Sequence, residues 1–372
     1  MESNKKIWGE PIRFQDHHYT DEYMNSMRKE IDLLADNALN KMGPSEILGM
    51  LADKEWKSKH TCPELVSFLE NVCQVPLWVN WEKVRRGQLV FLKYASSACM
   101  GLLYYSLIGG FSAPKIVKVL DETSYLTVNI NRTWTRLNET LEMVIDCLDD
   151  GSLNIGGRGW RSVIKVRLIH SHVRAMILKK GLWDDLAYGL PINQEDMVAT
   201  LLSFSINVLT AIKKVVGPLA LTREDEDSYL HLWRVIGFYM GVSEDHNPCT
   251  NVETASGAIE SIVIHLLHPD SRSGEVARHV VRSIASRPPL YWSYETHSQA
   301  ARFLLGPQLA GALGIEYSFF HYIYVSFILL FIQCFSLAIS FFVTSDGWFI
   351  ERVRIALRKQ INLALKKSSK SK

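Results

Sequence analysis

The stretch Trp160–Leu182, WRSVIKVRLIHSHVRAMILKKGL, decides how the rest of the chain reads. At 3.6 residues per turn Val163, Val166, Ile169, His170, Val173 and Ile177 fall along one stripe, which makes an amphipathic helix with an imidazole inside its apolar face. On this helix alone two readings of His170 stay open: a core histidine hydrogen-bonded to a carbonyl, or a metal or haem ligand. Arg167 and Arg174, three residues before it and four after, lie on nearly the same side. There they would meet the anionic edge of whatever the histidine holds.

Upstream of this helix, DETSYLTVNINRTWTRLNETLEMVIDCLDDGSLNIGGRG carries Arg136 and Thr140 four residues apart and so on one helix face. Gly151, Gly156, Gly157 and Gly159 then break the chain. Neither GxxxxGK[ST] nor GxGxxG spacing is present, so these glycines form a linker and not a phosphate loop. Further back, Ser96–Ala113 is uncharged over 18 residues but contains three glycines and four serines, the pattern of a buried central helix.

Downstream, Asn193 and Thr222 each precede an acidic first turn and cap further apolar-periodic helices, the second running to Gly241. Helical patterns also occupy Thr254–Leu267, Gly274–Ala285 and Ser298–Gly311. Near the N-terminus, helices are expected around Asp21–Leu39 and Ser45–Lys57. Alternating strand patterns are almost absent, so the fold class is all-α, with about ten helices.

Composition narrows the function classes. The net charge of +2 hides an uneven distribution: eight Lys/Arg against two acidic residues follow Thr344, leaving the body mildly acidic. No basic stripe with interleaved aromatics is present, so nucleic acid is not the expected partner. The six cysteines form no CxxC pair and no CxxCH, which points away from a zinc site and from covalently attached haem. The first residues, MESNKKIWGEPIRF, lack the apolar run of a cleavable signal peptide.

Tyr322–Val343 is 22 residues without a charge. As a helix it would extend about 33 Å, against a hydrocarbon core of about 30 Å, with aromatic residues at both ends. It reads as a transmembrane helix, with a buried C-terminal core helix as the alternative. The tail after it keeps Ile350, Val353, Leu357, Ile361 and Leu365 at helical spacing among arginines and lysines, as expected of a helix lying on an anionic membrane face. A basic tail favours the cytosolic side, whereas a cytosolic body anchored at its C-terminus needs the opposite orientation. The expectation taken here is a membrane protein with a cytosolic body.

The segments KVRLIHSHVR (Lys165–Arg174), RLNET, INQEDMVATLLSFS, LHLWRVIGFYMGV, WVNWEKVRRGQ and RFLLGPQLAGALGI, in their order, resemble the rubber oxygenases (latex-clearing proteins) and the fungal endoplasmic-reticulum oxygenase of mycophenolic acid biosynthesis. The resemblance runs from about Pro76 to Gly314. Its most informative part is a spacing: the family's Arg-x-x-Lys-Thr pattern lies about thirty residues before the haem-ligating histidine, and here Thr140 lies 30 residues before His170.

What the resemblance implies is a globin-like helical core holding haem b, with His170 as proximal iron ligand. Arg136 and Thr140 would line the haem pocket, Arg167 and Arg174 would flank the cofactor, and dioxygen would be used to cleave or oxygenate a C=C bond of a hydrophobic isoprenoid or lipid-like substrate, leaving carbonyl ends. Glu139 stands where the family carries lysine, a departure that bears on the reaction more than on the cofactor. Asp121 and Glu122 lie near where an upstream catalytic carboxylate is expected. The chain then divides into an N-terminal helical extension (residues 1–60), the oxygenase-like domain (61–317), the transmembrane helix (318–343) and a basic amphipathic tail (344–372), located at the endoplasmic-reticulum membrane. The competing function is a non-catalytic helical membrane protein of the same fold, acting in lipid binding or complex assembly.

Overall fold

The computed structural model describes residues 5–12, 16–51, 62–123, 126, 129–342 and 347–369. Its elements, in chain order, begin with a hairpin of two three-residue strands, β1 (Lys5–Ile7) and β2 (Glu10–Ile12), and are helical thereafter. The helices are α1 (Asp21–Met27), α2 (Leu33–Leu39), α3 (Pro44–Met50), α4 (Pro63–Val72), α5 (Trp81–Lys93), α6 (Ala95–Met100), α7 (Pro114–Thr123), α8 (Ile130–Cys147) and α9 (Arg158–Lys179). They continue with α10 (Asp185–Tyr188), α11 (Gln194–Phe204), α12 (Ile206–Val216), α13 (Arg223–Met240), α14 (Val252–Leu266), α15 (Ser271–Ile284), α16 (Tyr294–Leu305), α17 (Pro307–Ala312), α18 (Phe319–Phe342) and α19 (Gly347–Ser369). Between α6 and α7 the chain winds as a wider π-helical turn over Gly101–Ile108.

The helix count exceeds the sequence expectation because single residues break continuous apolar patterns. Ser205 leaves the helical region with φ −102° and ψ −91°, dividing α11 from α12. The segment expected from Asp21 to Leu39 is two helices, the second capped by Asp32, whose carboxylate accepts from Ala35 N. α3 starts at Pro44 and not Ser45, and its expected continuation to Lys57 lies outside the described residues. Asn193 and Thr222 cap α11 and α13 through capping boxes, and Gly241 ends α13 at φ +92°.

α9 is central: it packs against α2, α3, α7, α8 and α13. Trp160 near its N-terminus is fully buried and donates from Nε1 to Val72 O at 2.9 Å. α5 and α13 cross closely at Gly87, where a Cβ would sit 2.5 Å from Ser228 O. The Ser96–Ala113 segment is interior, packed against α12 and α16.

α18 lays Val325 and Leu329 against the body and leaves Phe320, Tyr324, Phe327, Phe331 and Phe335 exposed. α19 folds back onto α8 and α5. Ile361 and Ala364 are buried there, and Arg358 pairs with Asp146 at 3.1 Å and with Asp149. The physical reason is that the tail's apolar stripe and arginines find a matching apolar and acidic face on the body.

Two buried histidines make the fold acid-sensitive. His231 accepts from Asn80 N at 2.9 Å, and the Tyr104 hydroxyl meets His297 Nδ1 at 2.6 Å. Burial pulls both imidazoles down to about 4, with the positive charges of Lys83 and Arg234 assisting at His231. From the ordinary 6.5 down to about 4 the unfolded chain therefore binds more protons than the folded one, so stability falls as pH falls through that window. Urea midpoints should be level above about pH 7 and drop between about pH 6.5 and 5. Equal midpoints at the two ends of that range would contradict the neutral, buried state of these rings.

Candidate functional site

The interior contains a cavity of about 1400 Å³ bounded by α7, α8, α9, α11, α12, α13, α14 and the π-helical turn. Most of its wall is apolar, for example Phe111, Ile116, Val166, Val173, Phe204 and Trp233. One face of α9 supplies Ser162, Lys165, Val166, Ile169, His170, Val173 and Met176. The facing turns of α8 supply Arg136, Glu139, Thr140 and Met143. Arg136, Glu139 and Thr140 thus share a cavity with His170, across two helices joined by the glycine-rich linker.

His170 sits where burial and the nearby Arg174 charge pull its pKa down to about 4, so the ring is neutral at physiological pH. Its Nδ1 is buried and has no hydrogen-bond partner among the described residues. A histidine kept for packing is normally satisfied, because an orphaned polar atom costs about 1–3 kcal/mol. The reading of a carbonyl-bonded core histidine therefore loses its main support. Among the described residues no three His, Cys, Asp or Glu side chains cluster as a metal-binding set. Haem needs only one or two side-chain ligands from the protein, and His170 is the candidate in this cavity. A neutral imidazole, a roomy apolar chamber and an unsatisfied ring nitrogen fit that group.

On α8, Arg136 Nη1 donates to Glu139 Oε2 at 2.6 Å, both side chains being about two-fifths exposed. Thr140, which lines the cavity, donates from Oγ1 back to Arg136 O at 3.1 Å, the usual i−4 bond. The carboxylate in the family's lysine position is thus tied to the arginine one turn earlier.

Arg167 and Arg174 are not among the residues lining the cavity, and both pair with acids at α2. Arg167 makes a forked pair with Asp32, Nε to Oδ2 at 2.6 Å and Nη2 to Oδ1 at 2.9 Å, and also reaches Asn71 at 2.8 Å. Arg174 pairs with Asp36 and donates to Pro191 O at 3.1 Å and Ile192 O at 2.8 Å. α9 is buried on two faces, one toward the cavity and one toward α2, and His170 lies near the border between them. Asp121 and Glu122 are also elsewhere: Asp121 pairs with Arg272 at 2.6 Å, and Glu122 with Lys118 and Lys180, each at 3.0 Å.

A carboxyl group that the sequence reading took only as part of a helix cap does reach the cavity. Asp196 lines it, 3.1 Å from Lys115 Nζ, with its pKa raised by burial against the opposing pull of that ammonium. Lys115 also pairs with the fully buried Glu195, which Arg28 holds at 2.8 Å. The signal is two adjacent acids, Glu195 and Asp196, opening a helix whose next turns carry Met197, Val198, Ala199, Leu201 and Leu202. Helix-cap logic accounted for one of them and hid its second role.

A helical body around a large apolar chamber, with an imidazole in its wall and a polar cluster on the neighbouring helix, suits a hydrophobic ligand. The family that it matches is the ER-bound oxygenase mpaB/B'/rubber oxygenase catalytic domain, over residues 92–326, and the chain belongs to that family. A rubber oxygenase from Streptomyces sp. (strain K30) is 23% identical over 254 residues, which are 68% of this chain. The match spans 60% of that relative's length. The solved structure of a latex clearing protein, LCP, in its closed state superposes with a TM-score of 0.67 at 15% identity, covering 97% of this chain and 95% of the other. That likeness shows a common fold.

Proposed function

We propose that this chain is a haem b-dependent oxygenase that uses dioxygen to cleave or oxygenate a C=C bond in a hydrophobic isoprenoid or lipid-like substrate, working at a membrane, that of the endoplasmic reticulum. The observation that carries the reading is His170, a neutral imidazole with an orphaned Nδ1 in the wall of the apolar cavity. The name of the Streptomyces relative, a rubber oxygenase, supports the substrate class.

His170 would hold the haem, which when bound supplies the redox chemistry with dioxygen. The remaining work falls to side chains of this chain. The apolar wall favours a hydrocarbon over water and so protects the reaction from hydrolytic side paths. Arg136, held by Glu139, places a cationic group at the cavity edge, and Thr140 offers a hydroxyl oxygen as acceptor. Asp196, beside Lys115, places a carboxyl group in the chamber wall, where burial raises its pKa. A C=C bond and one dioxygen together contain all the atoms of two carbonyl ends, so cleavage needs no further reductant.

The test is spectroscopic and then chemical. Protein purified after expression with ample haem should show a Soret band and consume oxygen with an unsaturated isoprenoid, releasing carbonyl products. Protein that shows no Soret band after expression with ample haem would refute the reading. Haem binding without oxygen consumption across short and long isoprenoids would favour the non-catalytic alternative, to which Glu139 in the lysine position lends its support.

A further inference from the structure

Two features, consecutive in the chain, are not used by the cavity: the exposed stripe of α18 and the outward face of α19. On α18, Phe320, Tyr324, Phe327, Phe331 and Phe335 recur at helical spacing, all more than half exposed. Leu219, almost fully exposed, stands on the loop whose Gly217 lies beside the Gln333 side chain. On α19 the outward residues alternate in character: Trp348, Arg352, Ile355, Lys359 and Leu363, with Arg352 lying 5.2 Å over the Trp348 ring. An apolar aromatic helix face, followed in the chain by a helix of mixed aromatic, aliphatic and basic residues, suits an anionic bilayer surface.

We propose that α18 and α19 attach this protein to one face of an anionic lipid bilayer without crossing it, α18 lying in the interface with its phenylalanine stripe among the acyl chains. The proposal rests on the membrane reading above and changes its form from a span to an in-plane anchor.

Length and packing argue against a crossing. α18 extends about 36 Å, enough to cross a hydrocarbon core of about 30 Å, but only if it leaves the body. It does not leave. Val325 and Leu329 are buried against the body, and at Gln333, about 21 Å along the helix, the side chain still meets the Gly217 loop. Beyond it, α19 returns to α8 and α5. Arg354 and Arg358 reach Asp149, Arg358 also reaches the buried Asp146, and Leu365 completes part of the cavity wall. A crossing would carry α19 to the far side, break these pairs and open the chamber. Attachment to one face keeps every one of them. It also removes the conflict between a basic tail and a cytosolic body, because both then lie on the same side.

The test uses the full chain with one epitope tag before residue 1 and another after residue 372. In sealed microsomes the two tags should behave alike toward added protease, both digested when the body is cytosolic. The purified protein should float with phosphatidylcholine vesicles containing phosphatidylserine and bind less to phosphatidylcholine alone. The triple change Phe320→Ser, Phe327→Ser and Phe331→Ser should lower the vesicle-bound fraction by more than about tenfold, with helical circular dichroism retained.

One tag digested and the other protected would establish a span and overturn the proposal, whatever the variant does. Wild-type protein that fails to float and sediments as a dimer would assign the stripe to a second copy of the chain, and would overturn the membrane reading with it. The haem reading is scored separately by the Soret band of the same preparation.

Discussion

Replacing Asp32 with alanine is expected to destabilise the folded chain by about 3–5 kcal/mol, measured by urea or thermal unfolding, because it leaves the Arg167 guanidinium buried without its counter-charge. Arg167 is 3% exposed and Asp32 9%, and their forked pairing links α9 to the start of α2. Room for the pair is made by Gly241 at φ +92°, where a Cβ would come within 2.4 Å of Asp32 Oδ2 and 2.8 Å of Arg167 Nε. Asp32 also caps α2, so Asp32→Asn separates the two roles: the amide oxygen can still cap, but the charge is gone. Adding Arg167→Met to the Asp32→Ala background should restore much of the loss, since a buried pair replaced by apolar groups is often near neutral. A loss under about 1 kcal/mol in Asp32→Ala would show that water or another group compensates Arg167, and that the pair does not secure α2.

This pair also shows where sequence periodicity stops informing. The stripe through Val163, His170 and Ile177 correctly marks a buried helix. A helix buried on two faces, however, presents apolar residues around most of its circumference, so one stripe cannot say which neighbours meet the cavity. The residues that claim Arg167 and Arg174 are Asp32 and Asp36, more than 130 positions away, and nothing local to α9 announces them. The polar cluster on α8 was easier to place, because the Arg136-to-Thr140 spacing lies within one helix and its distance from His170 matches a known family pattern. Asp196 went unassigned because a first-turn acid has a sufficient local explanation as a helix cap. The return of α19 was hidden for a similar reason: a basic amphipathic helix is complementary both to an anionic bilayer and to an acidic protein face, and only the fold shows Asp146 and Asp149 waiting for Arg354 and Arg358.

The second large effect concerns His170 itself. His170→Ala is expected to abolish the Soret band, with haem content falling at least about tenfold, and added imidazole should restore part of it by entering the vacated space. Stability is expected to move the other way. Nδ1 is buried without a hydrogen bond, so the cofactor-free protein carries the cost of an unsatisfied polar atom, about 1–3 kcal/mol. His170→Leu removes that cost while filling most of the same space, and should leave cofactor-free protein as stable as the wild type or more so. A core histidine kept for the fold behaves oppositely: its replacement by leucine lowers the unfolding midpoint and leaves haem content unchanged. The two measurements on one variant thus separate a ligand from a packing residue. A group retained at the expense of the empty fold is explained by what it binds, so a less stable His170→Leu protein with its Soret band intact would remove the ground for calling His170 the haem ligand.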